Sequence, residues 1–318
     1  MPKTATKTLQ WRLFAEHSEI YYLGRFDGPQ FRRRYGRLDQ CRNEVVQALM
    51  REIAYVNVSN PDFPKCDRLV TQALAPARER NLVPVWSWES YSTDVLGMRR
   101  LRARNLKRVF GHAKILMTIR HPVALLQSAF LQQLKRDNVG AGGGFGRPVF
   151  CCTMDEWMAA ELDRDVKHHL EYADTVMAYV DQFGIDRVHV LVYEDLCADS
   201  QAFFTRVCEI LEVSASEGLN LIARERHNTR WTQHQLDALE TIQNEPLRSL
   251  MFRLSPRSWR RAMLGLDLSG VPSVVGPKAR VAMSKKWLAR VTEMTREGNE
   301  WLARTFDLPL ERYGYFDS

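Results

Sequence analysis

Lys114-Ile-Leu-Met-Thr-Ile-Arg-His-Pro-Val-Ala-Leu-Leu-Gln-Ser128 passes from an apolar run into an arginine, then a proline, then a serine. Ile115 to Ile119 is short, apolar and partly β-branched, the composition of a strand buried on both faces of a parallel sheet. Pro122 fits the first turn of a following helix, where its missing N–H costs nothing and its fixed φ is already helical. Arg120 therefore closes the strand at its carboxyl end, the edge where open α/β sheets place ligands, and Ser128 offers a hydroxyl from the next helix. A guanidinium there fits a phosphate or sulfate, because its planar fork holds such groups bidentately and keeps its charge. The alternative reading is a structural ion-pair partner.

A second segment repeats the arrangement. Arg187-Val-His-Val-Leu-Val-Tyr-Glu-Asp-Leu196 is an apolar strand that ends in polar residues, and a helical pattern follows from Asp199 to Leu211. Together, Thr-Ile-Arg-His-Pro with Ser128 and Leu-Val-Tyr-Glu-Asp-Leu resemble two halves of the sulfotransferase family that uses 3′-phosphoadenosine-5′-phosphosulfate (PAPS) as donor. The resemblance implies that Arg120 and Ser128 bind the donor's 3′-phosphate and that Tyr193 lies beside the adenine. It also implies an α/β fold of the P-loop nucleotide-binding type, a three-layer parallel sheet flanked by helices. The expected organisation is a single domain over residues 1–318, with a nucleotide-binding core over roughly 1–212 and a mainly helical extension over roughly 213–318.

The amino terminus, Met1-Pro-Lys-Thr-Ala-Thr-Lys-Thr-Leu9, is similar to the family's Pro-Lys-Thr/Ser-Gly-Thr-Thr phosphate loop. Backbone N–H groups at a helix start, aided by a lysine and hydroxyls, cradle a 5′-phosphosulfate. Lys3 matches the lysine, and Thr4 and Thr6 match hydroxyl positions; Ala5 replaces a glycine, Lys7 replaces a threonine, and Thr8 ends the loop. Ala5 requires a negative φ, and Lys7 either contacts phosphate or points into solvent. Leu9, Leu13, Phe14 and Ile20 are expected on one face of the first helix. No apolar run precedes Pro2, so the first strand of this fold is missing, and the expectation is a start downstream of the true one and a less stable sheet.

Leu82-Val-Pro-Val-Trp-Ser-Trp-Glu-Ser90 reads as another buried strand ending in a carboxylate. The family places its acceptor-activating residue near such a strand end, so Glu89 resembles that general base; alternatively it caps a helix predicted over 91–104. Ser87 and Ser90 read as capping or positioning residues, since no Gly-x-Ser-x-Gly elbow occurs. Helices are also predicted over 44–55, over 67–80 after a break at Pro61 to Pro64, from Met154, over 166–183 and over 278–306. Gly140 to Gly146 follows a helix rather than a strand and reads as a flexible loop over the acceptor site, not a dinucleotide cradle. Arg224 to Arg230 offers a late contact to the 3′-phosphate by resemblance, whereas the ending Leu310-Glu-Arg-Tyr-Gly-Tyr-Phe316 is family-like without evident chemistry.

An excess of 45 Lys+Arg over 38 Asp+Glu, net +7, suits an anionic donor. The basic clusters at 32–34, 99–108 and 257–261 read as solvated helix faces, and no nucleic-acid-binding module is recognisable. Six cysteines at 41, 66, 151, 152, 197 and 208 form no C-x-x-C pair, so neither a structural metal nor a disulfide framework is expected. There is no secretory signal and no apolar run long enough to cross a membrane, which gives a cytoplasmic expectation. The Arg-Lys-Gly signature of the cytosolic animal branch is absent, which favours the bacterial or carbohydrate-type branch.

The implied reaction is metal-independent, in-line sulfuryl transfer from PAPS to a hydroxyl or amine, releasing 3′-phosphoadenosine-5′-phosphate (PAP). Lys3 would stabilise the leaving oxygen and Glu89 would take the acceptor proton. A glycan hydroxyl is the expected acceptor; a small alcohol, a phenol or a lipid-linked sugar are the alternatives. Two competing functions are an ATP-dependent kinase of the phosphate-loop class, for which no Gly-x-x-x-x-Gly-Lys-Ser/Thr is present, and a non-catalytic binder of nucleotides or polyanions.

Overall fold

The computed structural model describes residues 4, 6–24, 44–92, 97–139, 153–223, 231–266 and 276–317. Lys3, Ala5, the arginine cluster at 32–34, the glycine-rich segment at 140–146, Cys41, Cys151, Cys152 and the basic segment 224–230 lie outside the described residues. In chain order the elements begin with α1 (Thr6–Thr8), which runs into a π-helical turn (Leu9–Phe14), then β1 (Ile20–Tyr22) and α2 (Glu44–Met50). They continue with α3 (Phe63–Glu79), β2 (Val83–Val85), α4 (Arg99–Phe110), β3 (Ile115–Ile119), α5 (Pro122–Val139), α6 (Met154–Glu161), α7 (Tyr172–Phe183) and β4 (Val188–Val192). The rest is helical: α8 (Tyr193–Ala198), α9 (Ser200–Leu211), α10 (Ala215–Ile222), α11 (Gln233–Asn244), α12 (Pro246–Leu254), α13 (Arg257–Met263) and α14 (Lys285–Phe306).

The chain is mostly helical α/β with short parallel strands, and it forms two compact units interleaved in sequence. The first unit takes residues 1–122, 165–225 and 292–317. Among its described residues the strands make two parallel pairs, β1 with β2 and β3 with β4, rather than one continuous sheet. Around β3–β4, the buried Met117, Ile119, Val190 and Val192 meet Tyr172, Val176 and Tyr179 of α7, with Leu302, Leu310 and Tyr315 from the carboxyl end. A second cluster joins Leu9, Leu13 and Phe14 to Ile20, Val85 and Phe203, Phe204 and Val207 of α9. Each such large apolar side chain contributes about 1.5–3 kcal/mol by leaving water.

The second unit holds residues 123–164 and 226–291. Phe130 of α5 meets Trp157 of α6 edge-to-face at 5.7 Å, and Trp157 Nε1 donates to Gln133 Oε1 at 3.1 Å. Thr232 and Gln235 form a capping box at the start of α11, which satisfies helix-end groups reciprocally. Gln127 Nε2 donates to the Val281 carbonyl at 2.9 Å, tying α5 to the segment ahead of α14.

Several local expectations are corrected. Ile20 is not on the first helix but in β1, although it joins the same buried cluster. Helix α3 starts at Phe63, because the Asp62 side chain accepts from Lys65 N at 2.9 Å and Pro64 occupies the first turn instead of breaking it. The helix expected over 91–104 is α4, displaced to Arg99–Phe110. The stretch 166–183 is split: a 3₁₀ turn at Lys167–His169 precedes α7, and His168 and His169 are both half-buried there. Helix α14 begins at Lys285 rather than at 278, and its buried positions include Thr295 and Asn299. Arg99 and Arg102 are buried rather than solvated: Arg99 pairs with Glu171 at 3.1 Å, and Arg102 Nε donates to the Ala54 carbonyl at 2.9 Å.

Candidate active site

Strands β3 and β4 run parallel in register from Ile115 opposite Val188 to Ile119 opposite Val192. The residues that leave the two strands, Arg120 and Tyr193, therefore emerge side by side. The Arg120 guanidinium carbon stands 4.7 Å from the centroid of the Tyr193 ring, within cation–π range, and only 7% of Arg120 is exposed. Its backbone is fixed as well, since Tyr172 Oη donates to the Arg120 carbonyl at 2.8 Å.

Around this pair the Tyr-Glu-Asp segment is fastened by the carboxyl terminus. Glu194 Oε1 accepts from the backbone N–H of His121 at 3.1 Å, and its Oε2 accepts from Tyr315 Oη at 2.9 Å. Asp195 Oδ1 accepts from Tyr313 Oη at 2.6 Å. His121 Nε2 lies 3.0 Å from the Gly314 carbonyl, which can only accept, so that nitrogen carries the proton. Gly314 has φ +70°, and a Cβ there would come within 2.8 Å of Asp317 Oδ2, so this tight turn calls for glycine. Burial and then the Glu194 charge push the Tyr315 phenol well above its usual range; burial and then the Asp195 hydrogen bond raise Tyr313 to about 12. Tyr172 is raised by burial and then by Glu194. All three stay protonated at neutral pH and act as donors.

The amino-terminal loop is tied to two strand ends. Thr4 is 1% exposed, and Thr118 Oγ1 approaches the Thr4 hydroxyl at 2.5 Å and its carbonyl at 3.2 Å, two residues before Arg120. Farther along, the buried Gln10 donates through Nε2 to Ser87 Oγ at 3.1 Å and to the Ser87 carbonyl at 3.3 Å, two residues before Glu89. Thr4 is thus bonded to β3, and Gln10 in the helical turn after the loop to Ser87, two residues past the end of β2. Thr6 and Thr8 are half-buried, and Lys7 is exposed with Nζ 5.6 Å over the Trp11 ring, which takes it neither into the core nor simply into solvent.

Glu89 is half-buried and opens a 3₁₀ turn, Glu89–Ser92, in which its carbonyl accepts from Ser92 Oγ at 2.7 Å. It does not cap the following helix, whose flanking residue is Met98. Ser128 is half-buried in the second turn of α5, within the second unit. A separate polar cleft on α2 and α3 is lined by Glu44, Gln47, Arg51, Glu52, Asn57 and Lys65. Burial works to raise the Glu52 carboxyl, but hydrogen bonds from Lys65 and Asn57 outweigh it and hold the group below its usual range.

Sequence reasoning missed Tyr172, His121, Tyr313 and Tyr315. The only signal was the Tyr-Gly-Tyr ending, whose contacts to Asp195 and Glu194 span more than a hundred residues and leave no local pattern. The two buried cysteines in the described residues, Cys66 and Cys208, have thiols raised by burial to about 11, so they are inert packing groups. Among the described residues no cluster of three His, Cys, Asp or Glu side chains could hold a metal ion, and no helix is long and apolar enough to cross a membrane.

The carboxyl ends of the parallel strands β3 and β4 thus carry Arg120 and Tyr193, and Thr4 is bonded to Thr118 of β3. Residues 1–217 match the family model described as the sulfotransferase family, and the chain belongs to that family. Its fold is similar to the crystal structure of a sulfotransferase from Alicyclobacillus acidocaldarius, with a TM-score of 0.53 at 17% identity over 98% of this chain and 95% of the other. No curated protein matches the chain.

Proposed function

We propose that this chain moves a sulfuryl group from PAPS to a hydroxyl or amine acceptor. The observation that supports this reading best is the in-register exit of Arg120 and Tyr193 from β3 and β4: a nearly buried cation stacked on an aromatic face, with its backbone clamped. An arginine held this way suits a 3′-phosphate, and the neighbouring ring suits an adenine. Ser128 is a second phosphate ligand on sequence grounds alone. At the other end, the loop of Lys3, Thr4, Ala5, Thr6, Lys7 and Thr8 would receive the 5′-phosphosulfate, with Thr4 serving as its anchor to β3.

In the transfer, a bond forms between acceptor oxygen and sulfur while the bond from sulfur to the 5′-phosphate oxygen breaks. The acceptor's proton passes to Glu89, and the charge left on the phosphate of PAP is met by Lys3 and loop N–H groups. A glycan hydroxyl is the proposed acceptor, supported by the net charge of +7, which suits anionic saccharides. Calorimetric titration with PAPS, PAP and magnesium-ATP, followed by transfer of radiolabelled sulfate to an acceptor panel, tests the reading. Tight binding of the 3′-phosphorylated nucleotides without added metal is expected. Preference for magnesium-ATP would point to a kinase, and binding without transfer to any acceptor would point to a non-catalytic homologue.

A further inference from the structure

The second unit carries a surface that nucleotide chemistry does not use. From Glu245 to Leu266 the chain has one carboxylate, Glu245, which pairs with Arg248 at 2.9 Å, against five arginines at 248, 253, 257, 260 and 261. The same segment carries five of the nine large hydrophobic residues exposed among the described ones: Leu247 at 78%, Leu250 at 54%, Met251 at 59%, Leu254 at 78% and Trp259 at 65%. Scattered exposed leucines are ordinary, but a contiguous apolar stripe rimmed by charge marks an interaction surface.

The pattern on α12 is specific. At about 100° per residue, Leu247, Leu250, Met251 and Leu254 fall within an arc of about 100°, and Arg248 and Arg253 flank that arc on its two sides. The inward face is supplied by Phe252, which is 0% exposed, and by the half-buried Ser249. Helix α13 is fastened to α12 by Arg260, whose Nε donates to the Ser255 carbonyl at 2.9 Å and whose guanidinium lies 5.9 Å from the Phe252 ring centroid. An apolar centre between basic flanks, with a tryptophan on the adjoining helix, is the composition of helices that lie in a bilayer interface.

We propose that α12 and α13 form a peripheral docking surface for an anionic lipid bilayer, with the leucine stripe entering the interface and the flanking Arg248 and Arg253 meeting the headgroups. The charge argues against a second copy as occupant, because a symmetric dimer through this face would set the Arg248 and Arg253 flanks of one copy against those of the other. Docking of this kind is independent of which donor the first unit uses.

The test is co-sedimentation of the full chain with vesicles of phosphatidylglycerol and phosphatidylcholine against vesicles of phosphatidylcholine alone. Binding is expected to the anionic vesicles, weaker by about tenfold or more to the neutral ones, and to fall as salt is raised. The double variant Leu250→Glu with Leu254→Glu should lose about tenfold or more of the binding while keeping the wild-type melting temperature. If that variant loses its melting transition, Leu247→Ser on the most exposed turn should give the same direction. Failure of the wild-type chain to pellet with anionic vesicles overturns the proposal, as does pelleting that these substitutions leave unchanged. A dimer in sedimentation equilibrium that the leucine substitutions dissociate would also overturn it and assign the face to a second copy.

Discussion

The two ends of the proposed donor site are fixed by different kinds of contact. At the end of β3 and β4, Arg120 and Tyr193 are fixed by strand register, by Tyr172 on the arginine carbonyl, and by Tyr315, Tyr313 and His121 on the two carboxylates of the Tyr-Glu-Asp segment. At the amino-terminal loop, Thr4 is held through Thr118 and the following helix through Gln10. The first end is set by several long-range contacts that must all form together, so it is present whenever the unit is folded. At the second, the Thr118–Thr4 hydroxyl contact is the point where a small change is expected to alter geometry without unfolding the unit.

The largest expected effect probes turnover alone. Glu89→Gln should lower kcat by about 10²–10⁴ with PAP affinity unchanged, the range for removing a general base; wild-type turnover would remove Glu89 from the chemistry. Next comes the end at β3 and β4. Tyr315 is 2% exposed, so Tyr315→Ala should destabilise the fold by about 3–5 kcal/mol in urea unfolding, as for other large aromatic truncations. Tyr315→Phe separates packing from the hydrogen bond: a loss of about 1–3 kcal/mol is expected from a half-buried carboxylate left short of a donor. No change in stability would mean that Glu194 finds water in its place. The smallest effect belongs to the loop. Thr118→Val should cost about 1 kcal/mol in stability, yet reduce PAPS turnover more than PAP affinity. An equal fall in both would show that the two ends do not differ as described.

Legibility from sequence follows the same division. Strands β3 and β4 were readable because they are continuous apolar runs ended by polar residues, and Arg120, Ser128 and Tyr193 follow from motifs of adjacent residues. Helix ends were less readable. Pro64 looks like a breaker but sits in a first turn, and no glycine or proline marks the turn at Leu170 that starts α7. The buttress of Tyr172, His121, Tyr313 and Tyr315 was invisible, because each contact is set by tertiary packing rather than by spacing along the chain. Buried polar positions on α14 hid its inward face for a related reason: Thr295 and Asn299 carry burial without hydropathy.

The most direct test is a titration cycle of wild type and Arg120→Ala with two nucleotides, PAP and adenosine 5′-phosphate, which differ only in the 3′-phosphate. If Arg120 holds that phosphate, the substitution weakens PAP by about 2–5 kcal/mol and leaves adenosine 5′-phosphate nearly unchanged, so almost the whole loss appears as coupling. Equal losses for both nucleotides, or none for PAP, would contradict the assignment and return Arg120 to the role of a structural cation stacked on Tyr193.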